Sequence, residues 1–296
     1  MTEEMIETVR AERVATNGIT LATQVWPGPG PTVVAVHGLT ANHTCWYPLA
    51  EALAGTCRLI AYDLRGRGDS EKPKSGYSLA DHAADLRGLL DHFGVERAIV
   101  MGHSLGAGLG VWFAAHHGER VARLILIDGG LDVRAEVFDS IAPAVNRLGV
   151  EFPSLDGFLA MLQTFPMFAG RWNAHLERYF TYDVEPGPGG GVVSKVPRHA
   201  IEEEMASMQR TRLWPLHHRI AAPTLLLRAP DGLLGADDCL MTLVEAEAMA
   251  HAIPTCRLVE VPATNHYTIL LGDAPVTHRE IRAFVAVRGE ADGSAS

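Results

Sequence analysis

Ser104 stands in Gly102-His103-Ser104-Leu105-Gly106, between the apolar run Ala98-Ile99-Val100-Met101 and a long stretch of small and apolar residues. That order reads as a strand, a turn too tight for ordinary side chains, and a helix, with a serine at the bend. A hydroxyl held there projects from the top of a sheet, beside free N–H groups at a helix N-terminus that can stabilise an oxyanion. The chemistry this supports is nucleophilic attack on a carbonyl. The pentapeptide alone arises by chance in many chains, so its partners must decide.

A serine hydroxyl attacks only when a base takes its proton, and open α/β sheets collect their sites at the carboxyl ends of strands. His266 fits that place. It follows the run Arg257–Val261 by Pro262-Ala263-Thr264-Asn265 and precedes the final helical pattern. Of 14 histidines only His278 also lies beyond Leu258, and it falls inside that helical pattern. The neighbours His116-His117 and His217-His218 read as surface or helix-end residues, because no third ligand has metal-site spacing. An imidazole base also predicts activity that rises with pH as the ring loses its proton.

The imidazole needs a carboxylate to fix its tautomer and orientation. Asp231, just past the run Thr224–Leu227, is the expected acid, in the chain order Ser, Asp, His. Asp128, just past Leu124–Ile127, competes from an equivalent position in the same order. Asp237 and Asp238 read instead as N-cap or first-turn residues of the next helix. For the oxyanion, the amide of Leu105 supplies one donor. The loop His37-Gly38-Leu39-Thr40 supplies the amide of Leu39 as the second, with glycine letting the chain turn over the serine. His37 itself reads as a strand-end histidine bonded to backbone.

These residues need a scaffold, and the rest of the pattern gives one. Val9–Thr16 and Ile19–Trp26 flank Asn17-Gly18, a hairpin signal. Thr32–Val36, Arg58–Tyr62, Ala98–Met101, Leu124–Ile127, Thr224–Leu227 and Arg257–Val261 are short apolar runs of the kind buried on both faces of a parallel sheet. Helical patterns at Trp46–Ala54, Leu79–Phe93, Leu105–His116, Leu240–Ala252 and Ala274–Val287 separate them. The expected fold class is α/β: a mostly parallel central sheet with an N-terminal antiparallel hairpin and helices on both faces. Asp63-Leu64-Arg65-Gly66-Arg67-Gly68-Asp69-Ser70 reads as a tight loop at the same sheet edge, with Asp63 and Arg65 bonded to nearby backbone. The Arg-Gly-Asp tripeptide in it is not read as an adhesion site. Gly106, Gly108 and Gly110 suit helix–sheet packing better than a nucleotide loop.

About ninety residues separate the runs ending at Ile127 and starting at Thr224, far more than one crossover helix needs. Half of the chain's aromatic residues lie there: Phe138, Phe152, Phe158, Phe165, Phe168, Trp172, Tyr179, Phe180, Tyr182 and Trp214. Residues 132–218 are expected to form a helical cap inserted after the sixth strand, with Pro186–Gly191 as an irregular loop. Residues 1–131 and 219–288 would form the core domain, and 289–296 a disordered tail. Most of the aromatics should pack into the cap's own core, yet a cap must also wall a pocket. Trp46, His103, Phe165, Phe168 and Trp172 are the candidate substrate contacts.

Composition narrows the partners. The 296 residues carry a formal charge of −10 with no Lys/Arg cluster, which argues against nucleic acid. No run of eighteen apolar residues suggests a membrane span, and the acidic stretch Met1–Arg13 lacks the apolar segment of a secretory signal. Cys45, Cys57, Cys239 and Cys256 lie far apart, as reduced thiols of a cytoplasmic protein would. No metal or cofactor is implied. The oligomeric state stays open.

His37-Gly38, Asp63–Gly68, the serine pentapeptide, the acid loop and His266 together resemble the cap-bearing branch of the α/β-hydrolase fold superfamily, from about residue 8 to 288. The resemblance implies a serine hydrolase; an aspartate at position 104 would instead imply dehalogenase or epoxide hydrolase chemistry. The expected substrates are carboxylic esters or lactones of small to medium apolar compounds. Alternatives on the same fold are carbon–carbon bond hydrolysis, amidase, iminopeptidase or perhydrolase chemistry, and, less expected, a non-catalytic receptor for a small ligand. The long interval from Asp231 to His266 departs from the family pattern and leaves the acid open between Asp231 and Asp128.

Overall fold

Eleven strands and the helices between them follow the alternation the sequence sets up, in a computed structural model that describes residues 9–132, 134, 140–235 and 238–287. The first strands, β1 (Arg10–Thr16) and β2 (Ile19–Trp26), form an antiparallel hairpin. Its two turn residues, Asn17 and Gly18, have φ of 46° and 76°. Positive φ at both positions is what a two-residue hairpin turn matching the strand twist requires.

The chain then lays down β3 (Thr32–Val36), β4 (Arg58–Tyr62), β5 (Ala98–His103) and β6 (Val121–Ile127). After an insert carrying β7 (Glu151–Phe152), β8 (Val184–Pro186) and β9 (Val192–Ser194), the sheet resumes with β10 (Thr224–Arg228) and β11 (Cys256–Glu260). The eight-stranded sheet has the order β1-β2-β4-β3-β5-β6-β10-β11 and is parallel from β4 to β11. Successive residues point to opposite faces. Val34, Val36, Val100, Leu124 and Leu126 pack under the helices Leu79–His92, Leu105–His116 and Leu243–Ala252. Val33, Ala35, Ile99, Met101, Ile125 and Ile127 pack on the other side, with residues of Tyr47–Ala52 and Pro275–Ala286. Both faces are covered, which is why these strands read as apolar runs without alternation.

The insert is not purely helical. Helices Ala142–Asn146, Leu155–Gln163, Ala174–Asp183 and Arg198–Arg210 are joined by a three-stranded antiparallel sheet, β7-β9-β8. Of the stretch Pro186–Gly191, read from sequence as an irregular loop, Pro186 ends β8 and residues 187–191 form the hairpin tip between β8 and β9. The Glu151 carboxylate accepts the Gly189 and Gly191 amides there, at 2.8 to 3.0 Å. Segments as short as two and three residues carry no readable period, so sequence patterning passes them over. Phe138, Asp237, the tail 289–296 and part of the cap's first boundary lie outside the described residues.

Candidate active site

Ser104 follows β5, a strand buried at every residue, and caps the helix Leu105–His116, with φ 57° and ψ −118°. A non-glycine residue holds such a backbone only where its surroundings force it. The glycines on either side make room. A Cβ on Gly106 would lie 2.0 Å from the Val36 carbonyl oxygen, and one on Gly102 would lie 2.0 Å from the Gly106 carbonyl oxygen. Gly38 passes directly over the serine; a Cβ there would be 3.2 Å from Ser104 Cβ and 3.6 Å from Oγ.

The sheet register places the acid. His103 pairs with Ile127, so Ser104 and Asp128 leave adjacent parallel strands side by side, and the Ser104 amide donates to the Ile127 carbonyl at 3.0 Å. Asp128 is buried and has φ 44°. One carboxylate oxygen accepts the Ala229 amide at 3.1 Å, and the other accepts His266 Nδ1 at 2.7 Å. A carboxylate can only accept, so Nδ1 carries the proton and Nε2 keeps a lone pair free to act as a base. This corrects the sequence expectation: Asp128, not Asp231, is the carboxylate on His266. Asp231 follows β10, one strand further from Ser104, a further step of about 4.8 Å across the sheet. Its side chain turns to the insert and pairs with Arg171 at 2.7 Å, half-exposed. Asp238 caps its own loop, accepting the amides of Leu233, Leu234 and Gly235.

His266 reaches the site from a loop held at several points. His103 Nε2 donates to the His266 carbonyl at 2.9 Å, with the two rings 4.4 Å apart. Burial pushes the His103 ring well below its ordinary pKa, so it stays neutral in that role. Asn265 beside it donates to the Met167 carbonyl in the insert and accepts the Tyr267 and Thr268 amides.

The second amide donor is placed by a different histidine. His37 accepts the Leu64 amide at Nε2 (2.9 Å), which leaves Nδ1 protonated to donate to the Gly38 carbonyl at 2.8 Å. The carbonyl of a trans peptide points opposite to its N–H. Holding the Gly38 oxygen therefore fixes the direction of the Leu39 amide. Burial lowers the His37 pKa to about 4, keeping the ring neutral.

Ser104, Leu105, Asp128, His266, Gly38 and Leu39 line one cavity of about 140 Å3. Its apolar wall comes from residues that the sequence did not single out as substrate contacts, including Tyr179, Met208, Leu213, Met241, Tyr267 and Leu270. Of the expected substrate contacts, His103 lines the cavity and Trp46, Phe165, Phe168 and Trp172 do not. Trp46 is fully buried beneath the sheet's face, and Phe168 and Trp172 pack on Phe180. Large aromatics bury most area in a core of their own, so their number in the insert signals its core and not its pocket. A signal for Asp128 did exist: Gly129 and Gly130 follow it directly, and a Cβ on Gly129 would lie 2.5 Å from the Ser104 carbonyl oxygen. Among the described residues no group of three or more His, Cys, Asp or Glu is placed to hold a metal.

The sequence model of the alpha/beta hydrolase fold matches residues 31–273. The chain belongs to the α/β-hydrolase fold family. It is 30% identical over 245 residues to 2-(acetamidomethylene)succinate hydrolase of Mesorhizobium japonicum, covering 81% of this chain and 83% of that protein. The crystal structure of E-2-(acetamidomethylene)succinate hydrolase superposes with a TM-score of 0.84 at 26% identity, over 95% of this chain and all of the other. An alpha/beta hydrolase from Novosphingobium aromaticivorans gives 0.77 at 26% identity, over 94% and 98% of the two chains. The sheet order, with its antiparallel start, is the family's expected architecture, and the serine elbow occupies its centre. No described helix is long and apolar enough to cross a membrane.

Proposed function

We propose that this chain is a serine hydrolase that cleaves carboxylic esters or lactones of small to medium, largely apolar substrates through an acyl-enzyme. The hydrogen-bonded pair of His266 and buried Asp128, in one cavity with the strained Ser104, carries the reading. Ser104 Oγ attacks the carbonyl carbon while His266 Nε2 takes its proton. The amides of Leu39 and Leu105 receive the negative oxygen. Collapse expels the alkoxide, which His266 protonates, and leaves the acyl group on Ser104. Water, deprotonated by the same ring, then adds to the acyl carbon and restores the serine. Asp128 holds the ring in the required tautomer throughout. The mostly apolar wall favours an uncharged acyl or alkoxy group over a peptide.

A second reading, hydrolysis of an acylated amine, is favoured by the relative in Mesorhizobium japonicum, whose named substrate carries an acetamido group. A graded panel of p-nitrophenyl esters, lactones and N-acyl amines separates the two. Ester or lactone turnover well above amide turnover supports the first reading, and the reverse order supports the second. In either case Ser104→Ala should abolish turnover; a variant that retains it refutes the nucleophile. The unpaired Cys45, Cys57, Cys239 and Cys256 support a cytoplasmic setting, and a thiol titration on protein isolated from cells under alkylating conditions tests that.

A further inference from the structure

Three consecutive carbonyls of the loop above Ser104 are each held by a buried cationic or imidazole side chain. His37 donates to Gly38 O at 2.8 Å, Arg67 Nε to Leu39 O at 2.9 Å, and Arg147 Nη2 to Thr40 O at 3.3 Å. His37 belongs to the sheet. The two arginines differ, because each is ion-paired with a carboxylate of the insert: Arg67 with Glu204, and Arg147 with Asp183.

Arg67 is the more informative of the two, since it sits in the core but is claimed by the insert. It is fully buried, and its guanidinium also donates to the Arg65 carbonyl at 2.9 Å. Glu204 is equally buried, with His82 Nε2 2.7 Å from its second oxygen. Glu203, its neighbour, accepts the Gly76 and Tyr77 amides, so the helix is moored to the core twice in succession. Four residues along the same helix, Met208 lines the cavity. Residues four apart share a helix face. One face of one insert helix therefore touches both the cavity and the group that holds Leu39.

We propose that Arg67 and Glu204 are positioning residues: through them the insert sets the Leu39 peptide, and with it the amide that meets the oxyanion. Arg67 does not line the cavity; it fixes the carbonyl on the far side of Leu39 while His37 fixes the one before. With both flanking carbonyls held, the Leu39 amide has one direction left. The insert is thus part of the oxyanion site as well as its roof. This rests on the serine-hydrolase reading.

The test uses a trifluoromethyl ketone, whose carbonyl adds Ser104 Oγ to give an oxyanion, against the alcohol of the same shape, which fills the cavity without forming one. Binding of both is measured for the full-length wild type, E204Q, R67K and the double variant R67M/E204L, with melting temperatures alongside. In the variants ketone affinity should fall ~10-fold or more, less than the loss seen when an oxyanion donor is removed outright. Alcohol affinity should stay within about 2-fold, as expected for an effect confined to charge developing on the oxygen. R67K keeps a cation for Glu204 but loses the fork that reaches Leu39, so it should not rescue. The double variant removes both charges together, so its melting temperature should stay near that of the wild type while its ketone affinity remains low. E204Q keeps the shape of the side chain and decides the matter if the double variant does not fold. Ketone and alcohol affinities that fall in parallel, or wild-type ketone affinity in E204Q or the double variant, would overturn the positioning role of Arg67 and Glu204. A wild type that binds the ketone no better than the alcohol would overturn the hydrolase reading, and the positioning role with it.

Discussion

Asp128 and Asp231 offer the sharpest comparison at the level of single residues. Both follow a parallel strand and both precede His266, on neighbouring strands, yet one is buried against an imidazole and the other is partly exposed on Arg171. An amide at position 128 cannot hold the protonated Nδ1 tautomer, and losing that function costs on the order of 10^4-fold in kcat in the well-studied triads. Asp128→Asn should therefore lower kcat by about three to four orders of magnitude with little change in KM. Asp231→Asn breaks an exposed ion pair worth about 1 kcal/mol or less and should change kcat by no more than ~3-fold. Steady-state kinetics on the two variants would reject the assignment if the ranking were reversed. The residue types at this site were legible in the sequence: the serine between glycines, the late histidine and the Gly38–Leu39 turn all lie where their motifs place them. The choice of acid was not, because it depends on which strands are neighbours and in what register. Sheet order is a long-range property that no local spacing encodes.

The elements tell the same story one level up. Apolar runs of four or five residues announced the six parallel strands of the large sheet, and the Asn17-Gly18 turn announced the β1–β2 hairpin. The insert was legible as an insert from its length and its aromatics, but not in its detail. Its strands are two and three residues long, and Phe168, Trp172 and Phe180 pack on one another while only Tyr179 of its described aromatics lines the cavity. The elbow between β5 and its helix is where local geometry is most demanding. Gly106→Ala would drive a methyl to 2.0 Å from the Val36 carbonyl, a clash with backbone that no side chain can relieve. Unfolding experiments should show a loss of about 3 kcal/mol or more, together with lost activity. Gly118→Ala has nothing within 4 Å of the new methyl and should leave stability within about 0.5 kcal/mol. Equal effects at the two glycines would mean that the elbow is not as tightly enclosed as the structure has it.

For the whole molecule, buried titratable groups set how folding responds to acid. Burial depresses the His37 pKa from 6.5 to about 4 in the folded state. As pH falls through that interval the unfolded chain gains a proton that the native one refuses, so stability falls with falling pH and is fully present above it. The loss amounts to about 3 kcal/mol by pH 4. Asp63 continues the trend at lower pH. Burial alone would raise its pKa, but the His43 ring and the Tyr182 hydroxyl outweigh that and bring it from 3.8 down to about 2. Its stabilisation is lost only as pH falls through that lower range. His82 and His103, both held neutral by burial, add in the same direction as His37. Denaturant titrations at pH 7.5 and pH 5 should show a smaller acid-induced loss for His37→Gln than for the wild type. An unchanged difference would remove His37 from the account. The same whole-molecule view predicts that a chelator leaves hydrolysis unaltered, because each step proposed here is carried by side chains and backbone amides.

The central claim is that Ser104 is the atom-bearing partner of the reaction, activated by His266 on Asp128. Its most direct test is labelling of the native protein with a fluorophosphonate, followed by peptide mapping by mass spectrometry. The account predicts one adduct, on the peptide containing Ser104, formed at a rate that collapses in His266→Ala and Asp128→Asn but not in Asp231→Asn. Stoichiometric labelling at another residue, or undiminished labelling without His266, would contradict it.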